Sequence, residues 1–337
     1  MRADRALLVA AGGGIGDTLL AGVVARALRE AYAAVDAVVL PAHVELARHL
    51  PAIEHVVPLG GRLPARYDAA IVTWATLATA FVPFRAGVPV RVGQARRLYS
   101  SLFTKRVVVR SELGDRTSHW TEILLDYARA IGCNLADGTP AFAVRDQDEA
   151  NAAALLRVHD VRAKYYVLHP TRGLSSGHAR WPVDAFVALA RRLIARDALP
   201  VLITGSGSDR AIVEAIADGA GRGAVPLAGA TTIGTFGALA ARARATIAMD
   251  SGPMHVAAAV GAPTVGVFAL QSDEPERWAP RGRRTAVVRA TYPCPPGHRK
   301  ETCPDFACVR DLDPGRVLAA LDGLLDGRVS FLVEGSP

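Results

Sequence analysis

The sequence predicts an α/β protein built from two Rossmann-like domains, each a doubly wound parallel sheet, facing a common cleft. Three observations lead there. Short apolar runs alternate with amphipathic stretches along the chain, the pattern of parallel sheets covered on both faces. A glycine-rich turn joins the first run to the first helix, and a second strand–helix series begins near residue 165 after a composition shift over 145–165. The 337 residues, half of them apolar, suit about two domains at ~150 residues each and exclude disorder or a collagen-like chain.

The first strand is read at 6–11. Gly12-Gly13-Gly14-Ile15-Gly16-Asp17 then opens a helix whose apolar face (Leu19, Leu20, Val23, Val24, Ala27, Leu28, Ala31) recurs at three- and four-residue spacings. Further strands are read at 37–40 (stopped by Pro41), 55–58, 69–72 and 90–92, and a helix over 117–131 from Ile123, Leu124, Tyr127 and Ile131. Asp146-Gln147-Asp148-Glu149 starts an alanine-rich helix, which sets the domains at 1–155 and 156–312, with a C-terminal helix and tail over 313–337. The second series has strands at 165–168, 200–204, 245–249 and 264–268. Its helices are expected at 183–196, 210–217, 233–242 and shortly after Pro253. Ligands of such sheets bind beyond the carboxyl ends of the strands, so chemistry is expected in the cleft.

The charge is unevenly spread. Residues 51–110 hold 9 basic and 2 acidic side chains, residues 277–300 hold 7 basic and none acidic, and the remainder is acidic. Two basic zones on an acidic body point to anionic ligands or surfaces. No aromatic platform accompanies the arginines, which argues against nucleic acid. Four cysteines are too few for a disulfide-built fold. The run 6–11 is short for a signal-peptide core, and the uncharged stretch 69–84, 16 residues with Pro83 in it, falls below the ~20 that span a bilayer. A soluble, cytoplasmic protein is expected.

The glycine turn does not fit a dinucleotide fingerprint. Gly12, Gly14 and Gly16 are spaced by two, and no acidic residue ends the second strand. Asp17 has two readings: a cap on the first helix turn, or a carboxylate at the cleft edge available as general base. Three loops in the second half carry more polar chemistry. His169-Pro170-Thr171-Arg172-Gly173, running on to Ala179-Arg180-Trp181-Pro182, offers a hydroxyl and two cations for a diphosphate. The Gly-x-Ser-x-Gly pattern of 173–177 lies past the strand end rather than on a sharp turn, so it does not read as a hydrolase elbow. In Thr204-Gly205-Ser206-Gly207-Ser208-Asp209 the carboxylate either receives ribose hydroxyls or caps the next helix. Asp250-Ser251-Gly252-Pro253-Met254-His255 reads as a cradle for an anion and sugar hydroxyls, or as a capping turn.

Taken in order, Gly16-Asp17, His169-Pro170-Thr171, Arg180-Trp181-Pro182, Thr204-Gly205 with Asp209, and above all Asp250-Ser251-Gly252-Pro253-Met254-His255 resemble glycosyltransferase family 9, the ADP-heptose heptosyltransferases of lipopolysaccharide core assembly. Ala262-Pro263-Thr264-Val265 fits as well, so the resemblance spans essentially the whole chain. It implies a GT-B fold, an acceptor-binding first domain, a nucleotide-sugar site in the second, and a C-terminal helix packing back toward the first. It further implies an inverting transfer with no metal and no cofactor beyond the donor, ADP-heptose. By the same resemblance Asp17 is the general base and the turn holds Gly14 and Gly16. Thr171 and the Ser251-Gly252 backbone contact the diphosphate with Arg172 and Arg180, Asp250 positions the sugar beside His255, and Asp209 meets the nucleoside.

One departure stands out. The family usually has a lysine two residues before the Trp of its Trp-Pro pair; this chain has Ala179, with Arg172, His178 and Arg180 as replacement cations or a weakened transfer as the result. Two rivals therefore keep the fold: a transferase of another nucleotide sugar, and a catalytically weakened binding protein. Asp146-Gln147-Asp148 and Asp311-Leu312-Asp313 could be sought as metal–diphosphate pairs, but both sit at helix starts and read as caps. Cys294, Cys303 and Cys308 with His298 are either a tetrahedral metal site or plain thiols in a Pro-rich loop. The basic run holding Arg96, Arg97, Lys105 and Arg106 suits an anionic glycolipid acceptor and peripheral contact with the inner membrane surface, or is a solvated face.

Overall fold

The computed structural model describes residues 3–171, 181–270, 272–294, 303, 305–327 and 331–334. The chain divides into two compact units, Met1–Ala143 and Val144–Pro337.

The first unit is a six-stranded parallel sheet. Its strands are β1 (Ala3–Ala10), β2 (Tyr32–Val39), β3 (Val56–Pro58), β4 (Ala69–Val72), β5 (Val90–Gln94) and β6 (Lys105–Val107), in the order β3-β2-β1-β4-β5-β6. Helices α1 (Ile15–Arg29), α2 (Val44–Ala47), α3 (Leu77–Arg85) and α4 (Trp120–Arg129) connect and cover them. Leu19, Leu20, Val23, Val24, Ala27 and Leu28 of α1 are fully buried, and each of these Leu and Val side chains stabilises by roughly 1.5–3 kcal/mol. Arg26 and Arg29 in the last turn complement the helix dipole.

Two features depart from the sequence reading. Strand β2 starts at Tyr32, five residues ahead of the expected run, because Asp36 lies inside it. Asp36 is wholly buried and accepts hydrogen bonds from the Arg5 guanidinium (2.8 and 2.9 Å) and the Tyr67 hydroxyl (2.7 Å). Buried charge is tolerated when paired and hydrogen-bonded in this way. Helix α3 has no counterpart in the sequence reading. Pro83 lies inside it, and the Thr76 hydroxyl caps it by accepting the Thr79 N–H at 3.2 Å.

The second unit is a seven-stranded parallel sheet. Its strands are β7 (Tyr166–His169), β8 (Val201–Gly205), β9 (Ala224–Ala228), β10 (Ala245–Met249), β11 (Thr264–Phe268), β12 (Thr285–Arg289) and β13 (Phe331–Glu334), in the order β13-β12-β11-β10-β7-β8-β9. The helices are α5 (Asp146–Val158), α6 (Val183–Asp197), α7 (Arg210–Ala220), α8 (Ile233–Arg242), α9 (Gly252–Ala259), α10 (Pro275–Trp278), α11 (Ala307–Asp311) and α12 (Pro314–Leu325). Helix α5 packs on α8, so the division between units falls ahead of it rather than within it. Helix α12 packs on α6, β11 and β12. Trp181 is buried at the start of α6, edge-on to Phe186 at 4.8 Å, and its indole N–H donates to the Leu312 carbonyl at 2.9 Å. Among the described residues, no helix is long and apolar enough to cross a membrane.

Candidate functional site

In each sheet the order reverses beside the unit's first strand, between β1 and β4 and between β7 and β10. Crevices at such switch points are where open α/β sheets take ligands. Each unit has polar residues there.

In the first unit a cavity of about 210 Å³, counting its open mouth, is lined by Ala10, Gly12, Asp17, Thr73, Trp74, Trp120 and Leu124. The glycines shape it. A Cβ on Gly12 would fall 2.0 Å from the Trp74 ring. Gly13 has φ +69°, and a Cβ there would fall 2.4 Å from Asp17 Oδ2. Asp17 Oδ2 accepts the Gly14 N–H at 2.8 Å, which caps α1; Oδ1 takes no hydrogen bond from another described residue. The capping reading of Asp17 has its structural counterpart in Oδ2. Burial raises the Asp17 pKa above the usual carboxylate range, opposed by the Gly14 and Asp17 amides and by nearby His43. His43 is buried behind it and hydrogen-bonded to the Thr18 hydroxyl (Nδ1 to Oγ1, 2.8 Å), and its own pKa is lowered by burial.

Trp74, Trp120, Thr73 and His43 were not singled out from the sequence. The available signal was position alone: Thr73 and Trp74 follow β4, and His43 follows β2, at carboxyl ends of strands. Arg96, Arg97, Lys105 and Arg106 do not line this cavity. Arg96 and Arg97 lie just past β5, where Arg97 pairs with Glu112 at 2.8 Å, and Lys105 and Arg106 stand exposed on β6.

In the second unit, buried His169 ends β7. Its Nδ1 lies 3.0 Å from the Thr204 hydroxyl on β8, and its Nε2 lies 3.2 Å from the buried Thr171 hydroxyl. Burial pushes the His169 pKa down to about 4, against the raising effect of Asp209. Asp209 Oδ2 accepts from the Ser206 N–H (2.8 Å), the Ser206 hydroxyl (2.6 Å) and the Thr171 hydroxyl (3.3 Å). It therefore closes its own loop and ties it to Thr171. Half-buried Asp250 follows β10, and Ser251 is the N-cap of α9 without capping through its side chain: its hydroxyl donates to the Met249 carbonyl at 2.9 Å. Pro253 lies in the first turn, and His255 is buried in the helix. Arg172, Arg180, Ala179, His178 and the 173–177 pattern lie outside the described residues.

One carboxylate of each Asp-x-Asp pair serves as a cap, while Asp311 ends α11 instead of starting a helix. Asp148 Oδ2 accepts the Arg145 N–H at 3.1 Å and Asp313 Oδ1 the Gly315 N–H at 2.8 Å. Cys294, Cys303 and Cys308 are free thiols, Cys294 with its pKa raised by burial and by Cys308 beside it. Among the described residues no three His, Cys, Asp or Glu side chains are grouped to hold a metal ion; His298 lies outside them.

The sequence profile described as Glycosyltransferase family 9 (heptosyltransferase) matches residues 56–305. The chain belongs to glycosyltransferase family 9. Lipopolysaccharide heptosyltransferase 2 of Escherichia coli K12 is 28% identical over 274 residues, 77% of this chain and 76% of that protein. Among solved structures, a glycosyl transferase family 9 protein from Veillonella parvula matches with a TM-score of 0.83 at 18% identity, over 97% of this chain and 99% of that one. The E. coli ADP-heptose lipopolysaccharide heptosyltransferase II matches at 0.77 and 22%, over 96% and 99%. The GT-B fold is shared with both, and this family-9 chain is a glycosyltransferase.

Proposed function

We propose that this enzyme moves a heptose from ADP-heptose onto an anionic glycolipid acceptor of the lipopolysaccharide core, with inversion at the anomeric carbon and without a metal, working peripherally at the cytoplasmic face of the inner membrane. The observation that carries the reading is Asp17: a carboxylate in an aromatic-lined cavity, one oxygen fixed by Gly14, the other taking no hydrogen bond from another described residue, its pKa raised by burial. A base so held keeps its geometry while its proton affinity moves toward that of its task. The names of the matched E. coli proteins supply the donor and acceptor class.

In this mechanism the acceptor hydroxyl attacks the anomeric carbon from the face opposite ADP. Its proton passes to Asp17 Oδ1, and the sugar–phosphate bond breaks with its electron pair leaving on ADP. The second unit holds the donor, with Thr171 and the amides opening α9 at Ser251-Gly252 on the diphosphate, each well-placed donor worth about 3 kcal/mol. Asp250 and His255 orient the sugar and Asp209 the nucleoside. Arg172 and Arg180 join the diphosphate on the strength of the sequence resemblance. Arg96, Arg97, Lys105 and Arg106 take the anionic acceptor. The capping roles of Asp148 and Asp313 favour a diphosphate held by amides and cations over one held through an Asp-x-Asp metal clamp.

Asp17→Asn tests the reading. Turnover with ADP-heptose and acceptor should fall about 10²- to 10⁴-fold while ADP affinity by calorimetry stays unchanged. If affinity falls as far as turnover, Asp17 is only a cap. A weakened nucleotide-sugar binder is favoured by one observation, Ala179 at the family's lysine position. Slow turnover rescued by Ala179→Lys would establish that second reading.

A further inference from the structure

The first unit carries an exposed apolar stripe that no step of the transfer requires. On α3, Leu77, Phe81 and Phe84 recur at helical spacing and are 56%, 39% and 46% exposed, whereas Thr79, Ala80 and Pro83 face inward. The usual order of a covering helix is reversed, with the small residues inside and the large apolar ones outside. Phe81 and Phe84 meet edge-on at 5.9 Å, and the Arg91 guanidinium lies over the Phe84 ring at 5.6 Å. The 3-10 turn Leu98–Leu102 packs beside α3 and presents Leu98 fully to solvent. Trp74, 40% exposed, starts the stripe at the mouth of the Asp17 cavity. Single exposed apolar residues are ordinary, but a contiguous aromatic-rich set running from a functional cavity marks an interaction surface.

The surroundings decide the kind of partner. Arg85, Arg96, Lys105 and Arg106 are exposed on α3, on the loop before Leu98 and on β6, and no carboxylate occurs in the sequence between Asp68 and Glu112. Glu112 itself is engaged by Arg97 and by the Gln94 amide. An apolar stripe edged by cations fits the boundary of an anionic bilayer, rings among the acyl ends of the headgroups and cations on the phosphates. A second copy of the chain would bring the same cations against these, a repulsive match.

We propose that α3 and the turn at Leu98 form the surface by which the enzyme docks on an anionic lipid bilayer, with Leu77, Phe81, Phe84 and Leu98 entering the headgroup boundary. The inference rests on the proposed function for a membrane-borne acceptor and shares Arg96, Lys105 and Arg106 with it, but its primary test, vesicle binding, uses neither donor nor acceptor. The full chain is sedimented with phosphatidylcholine vesicles, with and without one-third phosphatidylglycerol. Binding should require the anionic lipid and weaken with salt, as the Debye length shortens from about 10 Å at ~0.1 M to about 3 Å at ~1 M. Phe81→Ser with Phe84→Ser should lower the partition coefficient about tenfold, leaving turnover on a delipidated soluble acceptor unchanged. Leu98→Asp, off the helix, should weaken vesicle binding in the same direction and guards against loss of α3 itself. Equal binding to both vesicle types, undiminished binding of both variants, or a concentration-dependent dimer that the variants abolish would each overturn the inference. Vesicle binding that persists when Asp17→Asn leaves turnover intact would count against the proposed base and support the docking surface.

Discussion

The two switch points of this molecule solve the same local problem in opposite ways. After β1 the chain supplies its own anion: Asp17 reaches back to the Gly14 N–H and occupies the positive end of α1. After β10 the N-cap residue Ser251 turns its hydroxyl away to the Met249 carbonyl and makes no side-chain cap on α9. A helix start that carries an intrinsic carboxylate disfavours a phosphate, and one whose cap withdraws favours it. Behind each lies a histidine on a threonine hydroxyl, His43 with Thr18 and His169 with Thr204, and both imidazoles are held toward neutrality by burial. The comparison teaches that two helix starts beside corresponding switch points, one after the first strand of its unit and one after the fourth, divide labour through a few side chains.

The largest effect expected from breaking this division is the loss of turnover in Asp17→Asn, about 10³-fold at the centre of its range. Next comes pH. His169 is neutral in the fold with a pKa near 4 and ordinary in the unfolded chain at 6.5. Between those values the unfolded state binds the extra proton, so stability is full above pH 6.5 and is lost as pH falls toward 4, by about 3 kcal/mol in all. Hydrogen exchange of the β7 and β8 amides should speed up across that window, and His169→Gln should flatten the dependence. Ser251→Asp would give α9 the intrinsic anion that α1 already has. ADP affinity by calorimetry should then fall about tenfold or more, with thermal stability unchanged or higher by about 0.5–1 kcal/mol; unchanged affinity would dissolve the contrast between the two helix starts. Smallest is Gly13→Ala, at φ +69° and against Asp17 Oδ2. It should cost about 1–2 kcal/mol in urea denaturation and lower turnover by displacing the carboxylate.

Where local pattern and final packing agree, the sequence was sufficient. Strands β4, β10 and β11 and helix α8 have the expected bounds, because an uninterrupted apolar run between punctuating residues leaves no competing register. Strand β2 was truncated because a charge in an apolar run is indistinguishable from a strand end until Arg5, Tyr67 and His55 are brought around Asp36. Strands β6 and β12 were missed for a related reason: Lys105 and Arg106 fill most of β6, and Arg283 and Arg284 precede β12. Asp17 was legible as a residue worth attention because its glycines are local. Trp74, Trp120 and His43 were not, since only the pairing of β1 with β4 and the return of α4 join residues so distant in sequence.

The outer strands of the two sheets have one more consequence. Strand β3 ends in Pro58, β6 is three residues long with two consecutive cations, and β9 carries Pro226 at its centre. Proline withholds an amide from an incoming chain and lysine or arginine makes the approach of a like strand unfavourable. Three of the four borders therefore resist templating another molecule's backbone, which guards a chain that displays Trp74, Phe81 and Phe84 on its surface against edge-to-edge aggregation.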